Sequence, residues 1–299
     1  MNKHKRCLWI VSAFVDYGNA SLKELNERFQ RSALNEEHET IQPRTFDRDR
    51  KYIADTLQID IEYDPHLKQY YIVNPEEISN NTLYTYLLGS MHVNNLSSMA
   101  IKHKERIMLQ RIPTGVEWLH TLLQAIDRHL TVCFSYQSYY SETPFQYEVI
   151  PCFLRLFEQR WYLICEYLDH SQTRVLALER MNQVVMGERI ILPSANITPD
   201  TFYKDFYGII RDESKAEEIV IKVYNHQDKY IRSVPIHVSQ QELKSDNPNY
   251  ALFSYYLHPT YDFIQQLLWH REHIEVVKPT ALRKKMKELL QEMLNRYEP

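Results

Sequence analysis

The sequence predicts an α+β protein of several domains, and three observations carry that prediction. At 299 residues the chain is too long for one core of ordinary domain size. Residues 3–57 space their apolar side chains as helices do, whereas residues 131–178 switch to short runs with the period of a strand. Beyond residue 217 strands and helices alternate in a ferredoxin-like βαββαβ order. Hydrophobic residues make up 44% and charged residues 25%, an ordinary globular composition that excludes a disordered or fibrous chain. With a formal net charge of −4, any contact with nucleic acid must come from a local basic patch.

Several function classes fall away at this stage. The 5 Gly are never spaced as a phosphate-cradling or dinucleotide loop requires. Neither GxSxG nor HExxH occurs, so a non-enzyme with no cofactor is expected. Cys7, Cys133, Cys152 and Cys165 form no CxxC pair, which suits four small core residues in a reducing cytoplasm. His270 and His273 stand three apart without a third ligand, so a surface turn is expected there and no metal site. Residues 1–15 mimic the basic and apolar regions of a secretory signal, but Ser12 and Asp16 interrupt the run. That segment is better used as a buried helix, and no run reaches the roughly 18 apolar residues of a membrane span.

The first domain is expected over residues 1–74. A helix over Lys3–Tyr17 leads through a Gly18 turn into Ser21-Leu22-Lys23-Glu24, which has the spacing of a capping box. Leu22, Leu25 and Phe29 then give the second helix one apolar face. A third helix starts near Pro43 and runs to about Leu57. At about 100° per residue, Arg44, Arg48 and Lys51 share an arc of roughly 60°, with Phe46, Ile53 and Leu57 opposite. Arg50 falls beside the apolar side and is expected at the core rim or on a backbone phosphate, while Asp47 and Asp49 reduce the positive field. Residues 59–63 and 69–73 read as a hairpin around Asp64-Pro65-His66, with Lys68 near its tip. Three helices and a hairpin in this order resemble a winged helix-turn-helix, which implies DNA contact through Arg44, Thr45, Arg48, Lys51 and Lys68. A merely solvated helix face is the alternative reading of the three cations.

Residues 75–130 read as a helical connector with Leu83, Leu87, Leu88, Trp118, Leu119, Leu122, Leu123 and Ile126 in its apolar stripe. Residues 131–138, 146–157, 161–167 and 174–178 are then β-rich runs dense enough for a small barrel, within a domain placed at 131–212. Phe134-Ser135-Tyr136, Pro151, Arg160-Trp161-Tyr162-Leu163, Arg174 and Leu178-Glu179-Arg180 follow the spacing of the WYL domain over about 80 residues. The family's usual Asp before the last Arg is Glu179 here. The resemblance implies an Sm-like or SH3-like β-barrel that binds a nucleotide or single-stranded nucleic acid. Its implied ligand residues are Tyr136, Tyr162, Arg174 and Arg180, with Arg155 and Arg160 as weaker candidates. Strand alternation puts Trp161, Leu163 and Cys165 on a core face and Arg160, Tyr162 and Ile164 on a pocket face. For each single Arg, a surface salt bridge is the competing reading.

The last domain is placed at 217–299. Strands at 219–224, 250–257 and 274–277, helices at 228–231 and 262–269, and a terminal helix at 281–297 resemble the WCX extension that follows many WYL domains. Arg232 stands where that family often has a polar or basic residue, and the resemblance extends ligand recognition to it. The whole then resembles a bacterial WYL transcription regulator. That implies a cytoplasmic homodimer on a pseudo-palindromic double-stranded DNA operator, with a nucleotide or single-stranded nucleic acid as effector and no membrane partner. An accessory protein that binds single strands, or modulates a partner enzyme without operator recognition, is the second reading.

Overall fold

A computed structural model describes residues 2–32, 35, 37–95, 104–106 and 115–298, with positions 79, 91–95 and 104 as backbone only. The chain forms two compact units, Met1–Gln110 and Arg111–Pro299.

The first unit is built on three helices and a hairpin. Helix α1 (Lys3–Tyr17) buries Cys7, Ile10, Val11 and Phe14, so the apolar run near the chain start is core. Gly18 ends it at φ +73, where its amide donates to the Phe14 carbonyl. Helix α2 (Leu22–Arg31) opens on the expected capping box: the Glu24 amide donates to Ser21 Oγ, and the Ser21 amide donates to the Glu24 carboxylate at 2.7 Å. Its Leu25 and Phe29 are buried. Helix α3 (Pro43–Leu57) starts at the proline and buries Phe46 and Ile53. Strands β1 (Ile61–Asp64) and β2 (Gln69–Ile72) pair antiparallel, and Ala20 bridges to Tyr70 to lengthen the ribbon.

The expected connector over 75–130 is divided between the units. Helices α4 (Pro75–Asn80) and α5 (Thr82–Asn95) join the first unit, where Ile78, Tyr84 and Leu88 pack on its core and the Tyr84 hydroxyl donates to the Leu57 carbonyl. Residues 96–103 and 107–114 of the connector lie outside the described residues. Helix α6 (Leu119–Asp127) belongs to the second unit, with Leu122 and Ala125 buried against a sheet.

That sheet holds β3 (Leu130–Tyr136), β4 (Phe145–Phe157), β5 (Arg160–Tyr167), β6 (Thr173–Ala177) and β7 (Met181–Ile190), in the order β6-β5-β4-β3-β7 with antiparallel neighbours. Strand β7 was not foreseen because its apolar residues do not alternate cleanly and two register shifts against β3 break the period. Gly187 sits where a Cβ would come within 2.1 Å of Thr131 Oγ1, so a side chain there would collide with the neighbouring strand.

Both faces of the sheet are covered. On one, Leu163, Cys165, Leu176 and Val184 meet α6, with Trp161 partly buried beside them. On the other, Tyr162 and Ile164 pack with Phe202, Tyr203 and Phe206 from the segment after β7, which includes the short helix α7 (Pro199–Phe202). The face expected to line a pocket is therefore a second core. Glu166 holds the covering segment down: its carboxylate accepts from the Ser194 amide at 2.8 Å, the Ser194 hydroxyl at 2.7 Å and His170 Nδ1 at 3.1 Å. Burial pushes this carboxyl up, but the three donors together outweigh it and hold it below the usual range. The stabilisation is thus present above the ordinary Glu value near ~4.3 and lost as pH falls through the folded value. Glu166→Gln is expected to cost about 1–3 kcal/mol in urea unfolding at about pH 7, and the gap from the wild type should close on acidification.

A second sheet holds β8 (Glu217–Tyr224), β9 (Gln241–Leu243), β10 (Tyr250–Leu257) and β11 (Ile274–Lys278), in the order β11-β8-β10-β9 with antiparallel neighbours. Helices α8 (Asp228–Ser233), α9 (Tyr261–Trp269) and α10 (Thr280–Asn295) complete it around Ile221, Phe253, Tyr255 and Phe263. The stretch Val234–Gln240 is turn, because Pro235 has no amide to give and Gln240 folds back to accept from the Ile236 amide. The two sheets are tied by a strap: the His258 amide donates to Asp205 O, the His258 ring stacks on Phe206 at 3.8 Å, and Asp262 Oδ2 takes the Ile209 and Ile210 amides. Gly208 serves this strap at φ +82, where a Cβ would fall 2.2 Å from Asp262 Oδ2.

Candidate functional site

On α3, Arg44, Arg48 and Lys51 are exposed, Thr45 is half-exposed, and Phe46 and Ile53 anchor the opposite side. Arg48 Nε donates to the Arg44 carbonyl at 3.3 Å. Asp49, expected to dilute this charge, is 1% exposed and takes two hydrogen bonds from Arg6 of α1, at 2.6 and 3.0 Å. Its charge is spent inside the unit. Asp47 remains exposed and lies 3.8 Å from Arg50. Arg50 sits at the core rim, donating to the Ile61 carbonyl at 2.9 Å with its guanidinium over the Tyr70 ring. Lys68 is exposed at φ +55 in the hairpin turn, which Asp64 closes by accepting from the His66 and Leu67 amides.

In the second unit, three of the predicted ligand residues fall on one aromatic ladder. Arg174 lies 5.2 Å from the Tyr167 ring and donates to its hydroxyl at 3.0 Å. Tyr167 stacks on Tyr147 at 6.4 Å and 15°, and Tyr147 meets Tyr136 edge-on at 6.2 Å. Arg180 closes the row, 5.8 Å from Tyr136 and 4.2 Å from exposed Tyr139. Burial keeps the Tyr136 and Tyr147 hydroxyls above their ordinary range and so uncharged. Arg180 Nε is buried without a hydrogen-bond partner among the described residues. Tyr147, Tyr167 and Tyr139 were missed from the sequence; aromatics two apart on paired strands, Phe134 with Tyr136 and Phe145 with Tyr147, were the available signal for Tyr147, whereas neither Tyr167 nor the turn residue Tyr139 carries it.

The other predicted residues are placed elsewhere. Arg160 is paired with Glu179 at 2.9 Å, next to the ladder but committed to a carboxylate. Tyr162 is 7% exposed in the second core, where Ile197, Phe202, Tyr203 and Phe206 pack with it. Arg155 shares that face, stacked over Tyr203. Arg232 stands apart, held by Asp228 and by both oxygens of Glu242, at 2.8 Å and 2.6 Å, so its donors are consumed within the second sheet's domain.

Cys7, Cys152 and Cys165 are buried and Cys133 is half-buried, all as free thiols; burial pushes those of Cys7 and Cys152 up to about 12. His270 precedes the turn Arg271–His273 and His273 ends it, each with a side-chain amide partner, Gln227 or Asn225. Among the described residues no group of three or more His, Cys, Asp or Glu is placed to hold a metal ion, and no helix is long and apolar enough to cross a membrane.

No curated protein matches the chain. Among solved structures it matches the proteasome accessory factor B/C (PafBC) of Arthrobacter aurescens at 15% identity and a TM-score of 0.37, over 97% of this chain and 46% of that one. A CRISPR Cas-related protein matches at 13% identity and a TM-score of 0.37, over 62% of this chain and 55% of that one. The chain thus spans about half the length of either structure. The WYL domain family matches residues 117–186, which run from the turn before α6 through most of β7. The WCX domain family matches residues 215–294, from the approach to β8 through nearly all of α10. Matched in that order through the second unit, these two domains make the chain a WYL-domain protein with a WCX domain behind it.

Proposed function

We propose that this is a sequence-specific DNA-binding transcription regulator, homodimeric and cytoplasmic, whose WYL domain senses a nucleotide or single-stranded nucleic acid. The observation that carries the reading is the side of α3 where Arg44, Arg48 and Lys51 stand in solvent while Phe46 and Ile53 root the helix. A helix about 10–12 Å across suits a major groove about 12 Å wide. In this reading the first unit is a winged helix-turn-helix, Thr45 contributes a hydroxyl beside the cations, and Lys68 on the wing meets a phosphate. A two-fold pair of such units calls for half-sites about 34 Å apart on a pseudo-palindromic operator.

The five-stranded sheet is read as an Sm-like barrel and the WCX sheet as ferredoxin-like. Guanidinium groups fork onto phosphates and tyrosine rings stack on bases, so Arg174 and Arg180 at the ends of the tyrosine row fit such an effector. Effector and operator are coupled if the ligand favours one dimer geometry over another. The proposal assigns no catalytic step, cofactor or metal.

The tyrosine row also favours the second reading, an accessory protein for single strands or a partner enzyme. Titrating the full chain with random duplex and random single strands at several salt concentrations separates the two. The regulator reading expects duplex affinity to fall linearly with log salt at a slope of about −0.9 per phosphate neutralised. Arg174→Ala with Arg180→Ala should leave duplex affinity within about twofold and weaken single-strand or nucleotide binding about tenfold. Single-strand binding alone, with no salt-dependent duplex binding, would establish the second reading instead.

A further inference from the structure

A cleft of about 440 Å³ opens in the second unit between the end of β4 and the turn Pro235–Val238. Phe157, Phe206 and Tyr207 form its aromatic walls, and Arg155, His237 and Gln240 are its polar groups. Gln240 is spent: its Oε1 accepts from the Ile236 amide and the Tyr255 hydroxyl, and its Nε2 donates to the Ile231 carbonyl. His237 Nδ1 lies 2.7 Å from Ser239 Oγ and 3.2 Å from the Ser239 amide.

Arg155 is the unusual group. Its guanidinium lies 3.8 Å from the Tyr203 ring centroid and 5.8 Å from that of Phe157, and it makes no hydrogen bond or ion pair among the described residues. Burial lowers its pKa, with Tyr203 and Asp262 opposing only at a distance. Asp262 itself is occupied by the Ile209 and Ile210 amides. Arg211 repeats the pattern, 3.9 Å from Phe202 and 5.0 Å from Phe206 with no carboxylate partner among the described residues. Two guanidinium groups thus flank the segment Phe202–Phe206 with no ion pair among the described residues. A half-buried cation left unpaired is costly, and a ligand that carries the missing charge removes that cost.

We propose that the Arg155 cleft is a second ligand site, separate from the tyrosine row, for a small anion carrying a flat ring, with a carboxylate or phosphate head on Arg155 and the ring against Phe206 and Tyr207. The volume suits a small ligand, and the chemistry pairs a few polar groups with aromatic walls, as ligand pockets generally do. The proposal is independent of the DNA-binding reading.

Calorimetric titration of the full chain with adenosine 5′-monophosphate, 4-hydroxybenzoate and inorganic phosphate tests it. One of the two ring-bearing anions should bind with a Kd below about 1 mM, which also distinguishes a phosphate from a carboxylate head, and inorganic phosphate should bind at least about tenfold more weakly. Arg155→Gln should weaken that binding about tenfold or more. Val238→Trp, at a rim residue 93% exposed and so harmless to the fold, should block the cleft, whereas Arg174→Ala should change nothing. Failure of both ring-bearing anions to bind overturns the proposal. So does binding that survives both Arg155→Gln and Val238→Trp, or that Arg174→Ala abolishes.

Discussion

Replacing both Arg44 and Arg48 by Ala is expected to abolish operator binding while leaving the protein folded. Both side chains are exposed, neither forms an ion pair among the described residues, and Ala is the better helix former, so unfolding should move by no more than about 0.5 kcal/mol. An Arg that reads a base edge contributes about 1–3 kcal/mol, and the pair therefore about 2–6 kcal/mol, or at least roughly thirtyfold in affinity. The partition between base and phosphate is readable from salt. If both contact phosphates, the slope of log affinity against log salt should drop by about two units and random duplex should weaken in parallel. If they read bases, operator binding should collapse towards the non-specific level with the slope nearly intact. The operator for this gel-shift assay comes from sequencing DNA recovered with the purified protein. Unchanged operator affinity in the double variant would refute the role given to this face.

Arg6→Ala is expected to destabilise the first unit by about 3–5 kcal/mol, because it strands the Asp49 carboxylate in the core. Domains commonly hold only about 5–15 kcal/mol in total, so the urea midpoint should fall far enough to separate the two units' transitions. Replacing the pair together, Arg6→Met with Asp49→Leu, should recover most of the loss, since apolar substitutes for a buried ion pair are often neutral. A loss in Arg6→Ala below about 1 kcal/mol would mean that the pair is not formed. The pair also sets the rotation of α3, for it clamps the helix to α1 from the side next to Phe46 and Ile53. Duplex affinity in Arg6→Ala should therefore fall even at temperatures where the unit remains folded.

Much of the fold was legible from spacing. Ser21 and Glu24 announced the capping box, Pro43 the start of α3, and the placement of Phe46 and Ile53 the buried side of that helix. The fate of Asp49 was not legible, although the wheel that groups the three cations sets it about 140° from Arg44, at the margin of the apolar side. What the wheel lacked was Arg6, a partner 43 residues away whose contact only tertiary packing supplies.

The candidate ligand site was legible in part for the same reason. Alternation along β5 correctly divided Trp161, Leu163 and Cys165 from Tyr162 and Ile164, but could not say that residues 197–206 would close over the second group. Tyr136, Arg174 and Arg180 proved to be neighbours through Tyr147 and Tyr167, a cross-strand relation that depends on register. Arg232, named from its position in a family pattern, was already neutralised by acids of its own domain.

The tie from Asp205 to Asp262 leaves little slack between the two β-sheets of the second unit. A histidine ring stacked on a phenylalanine and two backbone amides on one carboxylate oxygen must be broken before the WYL and WCX portions can turn against each other. A ligand that moved one portion is therefore expected to carry the other with it unless it first broke those contacts.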